Sequence, residues 1–236
     1  MNMQKIRPHL PWITLVVLVA IVGAANPGFL RPANLLEMAG DIVPLFVMAL
    51  GMTFVVYIGG IDLSAQSMAN LITVVATIYL ATLGPFVALL CIALGFGLGY
   101  LSGFVTTRLL VPSFISTLAT GGLAFSMAQW LSGQRAVTMD ADQRNRVFGW
   151  MIGKTGIVPN ELIIAVVLLG IALFIERRTT LGRVLKAVGA GELAAAASGI
   201  NVARFKILAF AISGSLAAIA GLIFAVKLSG GAPTIA

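Results

Sequence analysis

Seven apolar runs, each near the length of a membrane-crossing helix, divide this chain: Leu10 to Ala25, Ile42 to Ile58, Gln66 to Leu83, Pro85 to Thr107, Phe114 to Leu131, Glu161 to Ile175 and Ile207 to Val226. A helix of about 20 apolar residues crosses the hydrocarbon core of a bilayer, because only there can its side chains escape water while its backbone bonds to itself. With 59% hydrophobic and 10% charged residues and a mean hydropathy of +1.04, a water-soluble fold would carry more apolar surface than it could cover. The expected fold is therefore all-α, a polytopic transmembrane helix bundle of about seven spans. Residues 1–236 form one membrane domain. No length remains for a sizeable soluble domain, so any energy source sits in another chain.

The net charge of +7 is placed in loops beside apolar runs, where lipid headgroups and the positive-inside bias explain it without nucleic acid. Met1 to His9 is a short basic tail with Lys5 and Arg7. The first span then closes on Asn26-Pro27-Gly28, and although Gly23-Ala-Ala25 resembles a cleavage site, an uncleaved span is the preferred reading. Arg31 to Asp41 reads as an interfacial helix. The stretch Phe114 to Leu131, marked by Gly121-Gly122, reads as a helix that bends or enters only partly. Ser132 to Asn160 is the longest hydrophilic loop, with Arg135, Arg144, Arg146 and Lys154 against Asp140 and Asp142. Basic bias favours a cytoplasmic N-terminus in a cell membrane, which puts Arg108 and the whole Glu176 to Lys206 loop inside and the Ser132 to Asn160 loop outside.

Several chemistries are excluded by what the chain lacks. Its one histidine, His9, lies in the tail and its one cysteine, Cys91, lies in an apolar run, so neither a disulfide, a histidine-based metal site nor serine-histidine catalysis can be assembled within the spans. No Gly-x-x-x-x-Gly-Lys-Ser/Thr phosphate loop appears, so no ATP site and no cofactor are expected, and the chain is not read as an enzyme.

Two polar segments interrupt the apolar pattern. Gly59-Gly-Ile-Asp-Leu-Ser64 follows the second span. Asp62 or Ser64 there can cap the third helix, where a negative charge suits the helix dipole; alternatively the glycines break the helix inside protein, and Asp62 with Ser64 lines a route for a hydroxyl-rich solute. In Leu110-Val-Pro-Ser-Phe-Ile-Ser-Thr-Leu-Ala-Thr-Gly-Gly122, Pro112 opens a helix whose first turns carry Ser113, Ser116, Thr117 and Thr120. Such hydroxyls either bond their own backbone or face the pathway.

Glycines mark two spans: Gly95, Gly97, Gly99 and Gly103 in one, Gly214 and Gly221 in the other. Small residues let helices approach closely in lipid, and the same property serves a moving transport path. No internal repeat is visible, so nothing supports an inverted-repeat transporter. Between Glu176 and Lys206, Arg177, Arg178, Arg183, Lys186, Arg204 and Lys206 surround the nearly uncharged segment Gly189 to Asn201. This polar island is the expected grip for something outside the membrane.

Four stretches in order, Gly51 to Ser64 (GMTFVVYIGGIDLS), Thr107 to Leu118 (TRLLVPSFISTL), Thr180 to Gly189 (TLGRVLKAVG) and Ser198 to Asn201 (SGIN), resemble the membrane permease of ribose/xylose/galactoside-type ABC importers, over about Leu35 to Gly231. The resemblance implies a type II-like importer permease that pairs with a second permease copy or a paralogue, receives sugar from a periplasmic or surface solute-binding protein, and is driven by a separate cytoplasmic ATPase subunit. It implies that residues 176–206 form the coupling segment, with Gly189, Glu192, Ala194, Ala195 and Gly199 on the motif positions of the ATPase-docking helix, and it leaves Asp62, Ser64, Ser113, Ser116 and Thr117 as residues of the substrate path. Where relatives carry a second acidic residue and a basic one, this chain has Leu193 and Ala196. Relatives also continue past the position of Ala236, so the chain reads as C-terminally incomplete. A non-transporting scaffold and an ATPase-independent facilitator are the competing readings; co-purification with an ATPase and uptake without it separate them.

Overall fold

The computed structural model describes residues 10–234; the basic tail Met1 to His9, with the sole histidine, lies outside them. Ten helices are present among the described residues: α1 (Leu10–Ala25), α2 (Pro32–Tyr57), α3 (Ala65–Leu83), α4 (Val87–Arg108), α5 (Ser113–Ser132), α6 (Ala141–Ile152), α7 (Asn160–Arg178), α8 (Thr180–Ala190), α9 (Glu192–Ala197) and α10 (Val202–Leu228). Three stretches, Pro32–Tyr57, Ala65–Arg108 and Val202–Leu228, are long and apolar enough to cross a membrane, and the second consists of α3 and α4 joined by the single 3-10 turn Gly84–Phe86. The fold is all-α and polytopic, as expected.

Proline and glycine set most boundaries. Pro32 starts α2 at a position where its missing N–H costs nothing, Pro112 and Pro159 precede α5 and α7, and Gly133 closes α5 in the left-handed conformation. Asp140 caps α6 by accepting from Gln143 N (2.9 Å), and Asn201 Oδ1 caps α10 by accepting from Arg204 N (3.2 Å).

Two sequence expectations are corrected, on either side of a third segment whose extent the structure defines. No separate interfacial helix covers Arg31 to Asp41: α2 runs unbroken from Pro32 through the span, since its only breaker, Pro44, is buried among neighbouring helices that tolerate a lost backbone bond. The run around Gly121-Gly122 forms one 20-residue helix without a break, α5, and it is not among the three stretches long and apolar enough to cross a membrane. The hydrophilic stretch Ser132 to Asn160 is no open loop, because it folds into α6 and the hairpin of β2 (Lys154–Thr155) with β3 (Val158–Pro159), while β1 (Val137–Thr138) pairs antiparallel with β4 (Gly230–Gly231) after α10.

α10 is the hub, packed by α2, α3 and α4. Its apolar sequence is buried nearly all round, with Ala209, Ala217, Ala218, Ala220 and Val226 inaccessible. α4 meets it antiparallel through glycine. A methyl group on Gly95 would fall on the Gly214 carbonyl, on Gly99 the Phe210 carbonyl, and on Gly214 the Gly95 carbonyl. Backbones this close leave no room for a Cβ, which is how small residues replace the hydrophobic effect as glue in lipid. Gly97 faces the other way and meets nothing within 4 Å. Outward faces stay apolar: Phe86, Val166 and Phe174 are more than 60% exposed, and α1 buries no residue. Such faces suit hydrocarbon rather than water.

The bundle has two distinct ends. At one lie Tyr57, Arg108, Ser113, α8, α9 and the start of α10. At the other, Lys227 of α10 bonds both Glu161 of α7 (2.8 Å) and Asp41 of α2 (2.9 Å), and Lys154 pairs with Glu37 (2.5 Å). Glu161 is buried, so its charge is tolerable only because Lys227 pairs with it.

Candidate functional site

The chain between α2 and α3 does not return along the bundle surface. Gly59 takes φ +70°, the segment Gly60 to Ser64 then runs without helix, and Gly60 packs against Val55 and Phe210. Asp62 is 4% exposed. Its Oδ1 accepts from Ser64 N (2.9 Å) and Ser64 Oγ (2.5 Å), and its Oδ2 accepts from Ser213 Oγ of α10 (2.7 Å). Three donors satisfy a carboxylate that burial alone would make costly. Ser213 stands eleven residues into α10, about 16 Å along its axis. Asp62 is therefore held deep in the bundle rather than at its rim.

Ser64 occupies the N-cap position of α3, yet its side chain makes no capping bond; its hydroxyl proton goes to Asp62 instead. The simple capping reading of Asp62 and Ser64 is thus replaced by an Asx-type turn that sets the entry to α3. The α5 hydroxyls hold the same segment from the other side. Ser113 Oγ accepts from Ile61 N (3.0 Å), and Thr117 Oγ1 accepts from Leu63 N (3.1 Å). Ser116 Oγ donates to the Ser102 carbonyl (2.8 Å), and Ser102 and Thr120 share a hydroxyl bond of 2.5 Å. Ser64, Ser116 and Thr117 are buried. The Ser113 and Thr117 hydroxyls fasten the loop to α5, and those of Ser116 and Thr120 fasten α4 to it.

Two cavities flank this loop. One of ≈ 310 Å³ is lined by Asp62, Gln66 and the α2 residues Leu45, Met48 and Met52. The other, ≈ 360 Å³, lies beneath Gly59 and Gly60 and is lined by Thr106, Ser113, Glu192 and Lys206. The second joins the loop to the polar island read from the sequence.

That island is two helices rather than one. Gly189 belongs to α8, pressed against the Tyr57 carbonyl so closely that a Cβ would collide with it, and Gly191 at φ −178° separates α8 from α9. α9 carries Glu192, Ala194 and Ala195; Ala195 is buried and Leu193 is 88% exposed. Gly199 closes it at φ +81°, with Gly199 N donating to Ala196 O (3.0 Å) and Ile200 N to Ala195 O (3.2 Å). This is the paired bonding of a Schellman cap, and only glycine takes that φ without strain. Glu192 pairs with Lys206 of α10 at 2.5 Å.

Behind α9, Lys186 of α8 bonds Glu176 of α7 (2.6 Å) and stands 5.8 Å from the Tyr57 ring centre. Glu176 lies just past the span. Hydrogen bonding from Lys186, then the charges of Lys186 and Arg177, hold its carboxyl below the ordinary value despite opposing desolvation. Sequence reading missed Ser213 as a partner of Asp62, although a serine amid the apolar α10 run was the available signal. Lys206 was noticed only as one of several flanking charges. Among the described residues no group of three or more His, Cys, Asp or Glu is placed to hold a metal.

This polytopic helix bundle, with its buried carboxylate loop and a short capped helix at one end, is a transport permease by its sequence family. The chain belongs to the family described as branched-chain amino acid transport system / permease component, whose model matches residues 34–236, and within it to the ribose/xylose-type ABC importer permeases. It is 33% identical over 230 residues to the ribose import permease protein of Haemophilus influenzae, covering 94% of this chain and 70% of that one. It is 32% identical over 240 residues to the ribose import permease protein of Bacillus subtilis, covering 98% and 71%. With the xylose transport system permease protein of Escherichia coli the identity is 27% over 281 residues, covering 93% and 72%. No solved structure matches the chain.

Proposed function

We propose that this chain is the membrane subunit of an ATP-driven importer that moves a pentose, hexose or related carbohydrate across the cytoplasmic membrane, energised by a separate ATPase and supplied by a separate solute-binding protein. The observation that carries this reading is the position of α9. A six-residue helix with its most apolar side chain, Leu193, turned outward is presented at one end of the bundle and tied to α10 through Glu192 and Lys206. α10 in turn holds Asp62 through Ser213. A partner that grips α9 has a covalent and hydrogen-bonded route to the buried loop.

In this reading Glu192, Ala194, Ala195 and Gly199 form the ATPase-docking element, and Gly189 acts behind it by seating α8 on the end of α2. Asp62 shapes the solute route from the wall of the ≈ 310 Å³ cavity, while Ser64, Ser113 and Thr117 keep its loop in position and Ser116 holds α4 against α5 beside it. Residues 176–206 face the cytoplasm, as does the N-terminus, and a second permease chain completes the pathway. The named sugars of the relatives, ribose and xylose, set the first substrates to try.

The test is reconstitution of the chain in proteoliposomes with its ATPase and binding protein, followed by uptake of labelled ribose and xylose. ATP-dependent uptake is the expected result. Uptake that persists without the ATPase overturns the importer reading in favour of a facilitator, and ATPase binding without uptake favours a scaffold.

A further inference from the structure

Along α4, Phe96, Tyr100, Phe104 and Arg108 recur every four residues, so each stands one turn beyond the last in a stripe that winds slowly around the helix. Phe96, Tyr100 and Phe104 are 44%, 47% and 40% exposed, and the Phe96 and Tyr100 rings stack at 6.4 Å. Beside this ladder lies the start of α10, and the two helices enclose an open groove of ≈ 320 Å³ lined by Tyr100, Phe104, Arg108, Arg204, Ile207 and Leu208. Both arginines sit at the same end of the groove, exposed, and neither has an ion pair among the described residues.

We propose that this groove binds an anionic phospholipid, its phosphate held between Arg108 and Arg204 and an acyl chain laid along Phe104, Tyr100 and Phe96. The argument is one of shape and charge together. From Phe96 to Arg108 is about 18 Å along the helix axis, close to the roughly 15 Å hydrocarbon depth of one leaflet. A wall that is apolar for that depth and ends in two guanidinium groups matches a molecule with a long tail and an acidic head. Two planar guanidinium groups suit a phosphodiester's oxygens by forked hydrogen bonding. A soluble anion would use the arginines and leave the aromatic ladder without a role. The ATPase, confined to water, cannot reach the ladder at all. The N-terminal end of the α10 dipole lies at the same end and adds positive potential there.

The test uses the full chain purified in neutral detergent, with native mass spectrometry reading bound lipid after addition of phosphatidylglycerol or phosphatidylcholine. Preferential retention of phosphatidylglycerol is expected. Each basic side chain near an anionic surface contributes roughly a fivefold preference, so Arg108→Gln with Arg204→Gln should reduce that preference by about tenfold or more. The Lys pair, Arg108→Lys with Arg204→Lys, keeps the charge but not the forked geometry and should fall between the wild type and the Gln pair. Equal retention of both lipids by the wild-type chain overturns the proposal, as does an unchanged preference in the Gln pair. Displacement of the lipid by glycerophosphoglycerol or inorganic phosphate at equal concentration means that the groove holds a free anion, and loss of lipid binding on self-association means that a second copy covers it. Either result also overturns it. If the Gln pair does not fold, the two single Gln variants, each expected to lose several-fold, carry the same comparison.

Discussion

Asp62 Oδ2 accepts a 2.7 Å hydrogen bond from Ser213 Oγ, joining the α2–α3 loop to the middle of α10 across 151 residues of sequence. Removing the carboxylate strands Ser64 N–H, Ser64 O–H and Ser213 O–H in a dry interior, at about 1–3 kcal/mol for each group left unpaired. Asp62→Ala should therefore lower the thermal unfolding midpoint in detergent far more than Ser213→Ala, which strands only one carboxylate oxygen that keeps the rest of its turn. If Asp62→Ala assembles, melts and transports like the wild type, Asp62 has no part in either stability or mechanism.

Composition and the seven apolar runs were enough to identify an all-α membrane fold, because hydropathy over a span length reports directly on the solvent a helix can tolerate. Helix continuity was less readable. Arg31 to Asp41 reads as an interfacial helix, but its Glu37 pairs with Lys154 and its Asp41 with Lys227, partners 117 and 186 residues away. The order Gly-Gly-Ile-Asp-Leu-Ser marked the break between α2 and α3. It did not reveal that the α5 hydroxyls Ser113 and Thr117 receive that loop's N–H groups, since such pairing depends on how helices distant in sequence are stacked.

Gly199 offers a separable test of α9. A Cβ there would meet nothing within 4 Å, so any cost of substitution comes from φ +81° and not from crowding. Gly199→Ala should weaken the cap by about 1 kcal/mol, whereas Gly199→Asn, which accepts the left-handed conformation more readily, should lose less. Co-purification of the ATPase should fall in the order glycine, asparagine, alanine. Equal recovery with all three separates the cap from docking.

The α4–α10 contact predicts opposite outcomes for two glycines two residues apart. Gly99→Ala drives a methyl into the Phe210 carbonyl and must part the helices, which should cost at least 1–3 kcal/mol as overpacking does in other cores. Gly97→Ala points to open space and should be neutral or slightly stabilising through helix propensity. Thermal unfolding of both variants in one detergent checks the contrast. Equal midpoints would contradict the packing described.

The Glu176–Lys186 pair should appear in the pH dependence of stability. A carboxyl whose folded value is depressed adds stability that is present above its unfolded value, about 4.3 for glutamate, and is lost as pH falls through the folded value. Lys186→Met removes the largest cause of that depression. Its acid unfolding midpoint should shift upward relative to wild type, with the two curves converging once both carboxyls are protonated. Acid titration followed by circular dichroism makes the measurement, and parallel curves at every pH would show that the pair adds no pH-dependent stability.

Glu192 and Lys206 provide the sharpest test of coupling, because their pair is worth little to stability. Glu192 is about half exposed, and exposed pairs contribute at most about 1 kcal/mol. What the pair fixes is direction: it ties α9 to the first turns of α10, one helical turn before Phe210 touches Gly60 and about two before Ser213 holds Asp62. Glu192→Lys or Lys206→Glu alone should thus leave the melting curve near wild type while lowering solute moved per ATP hydrolysed. The exchanged pair, Glu192→Lys with Lys206→Glu, restores the attraction with its sign reversed along the axis, so it should recover much of that ratio if the tie itself transmits the ATPase stroke. If the double variant transports no better than the worse single one, Glu192 acts by touching the ATPase directly. Lys206 would then be its counter-charge and no part of the link to Asp62.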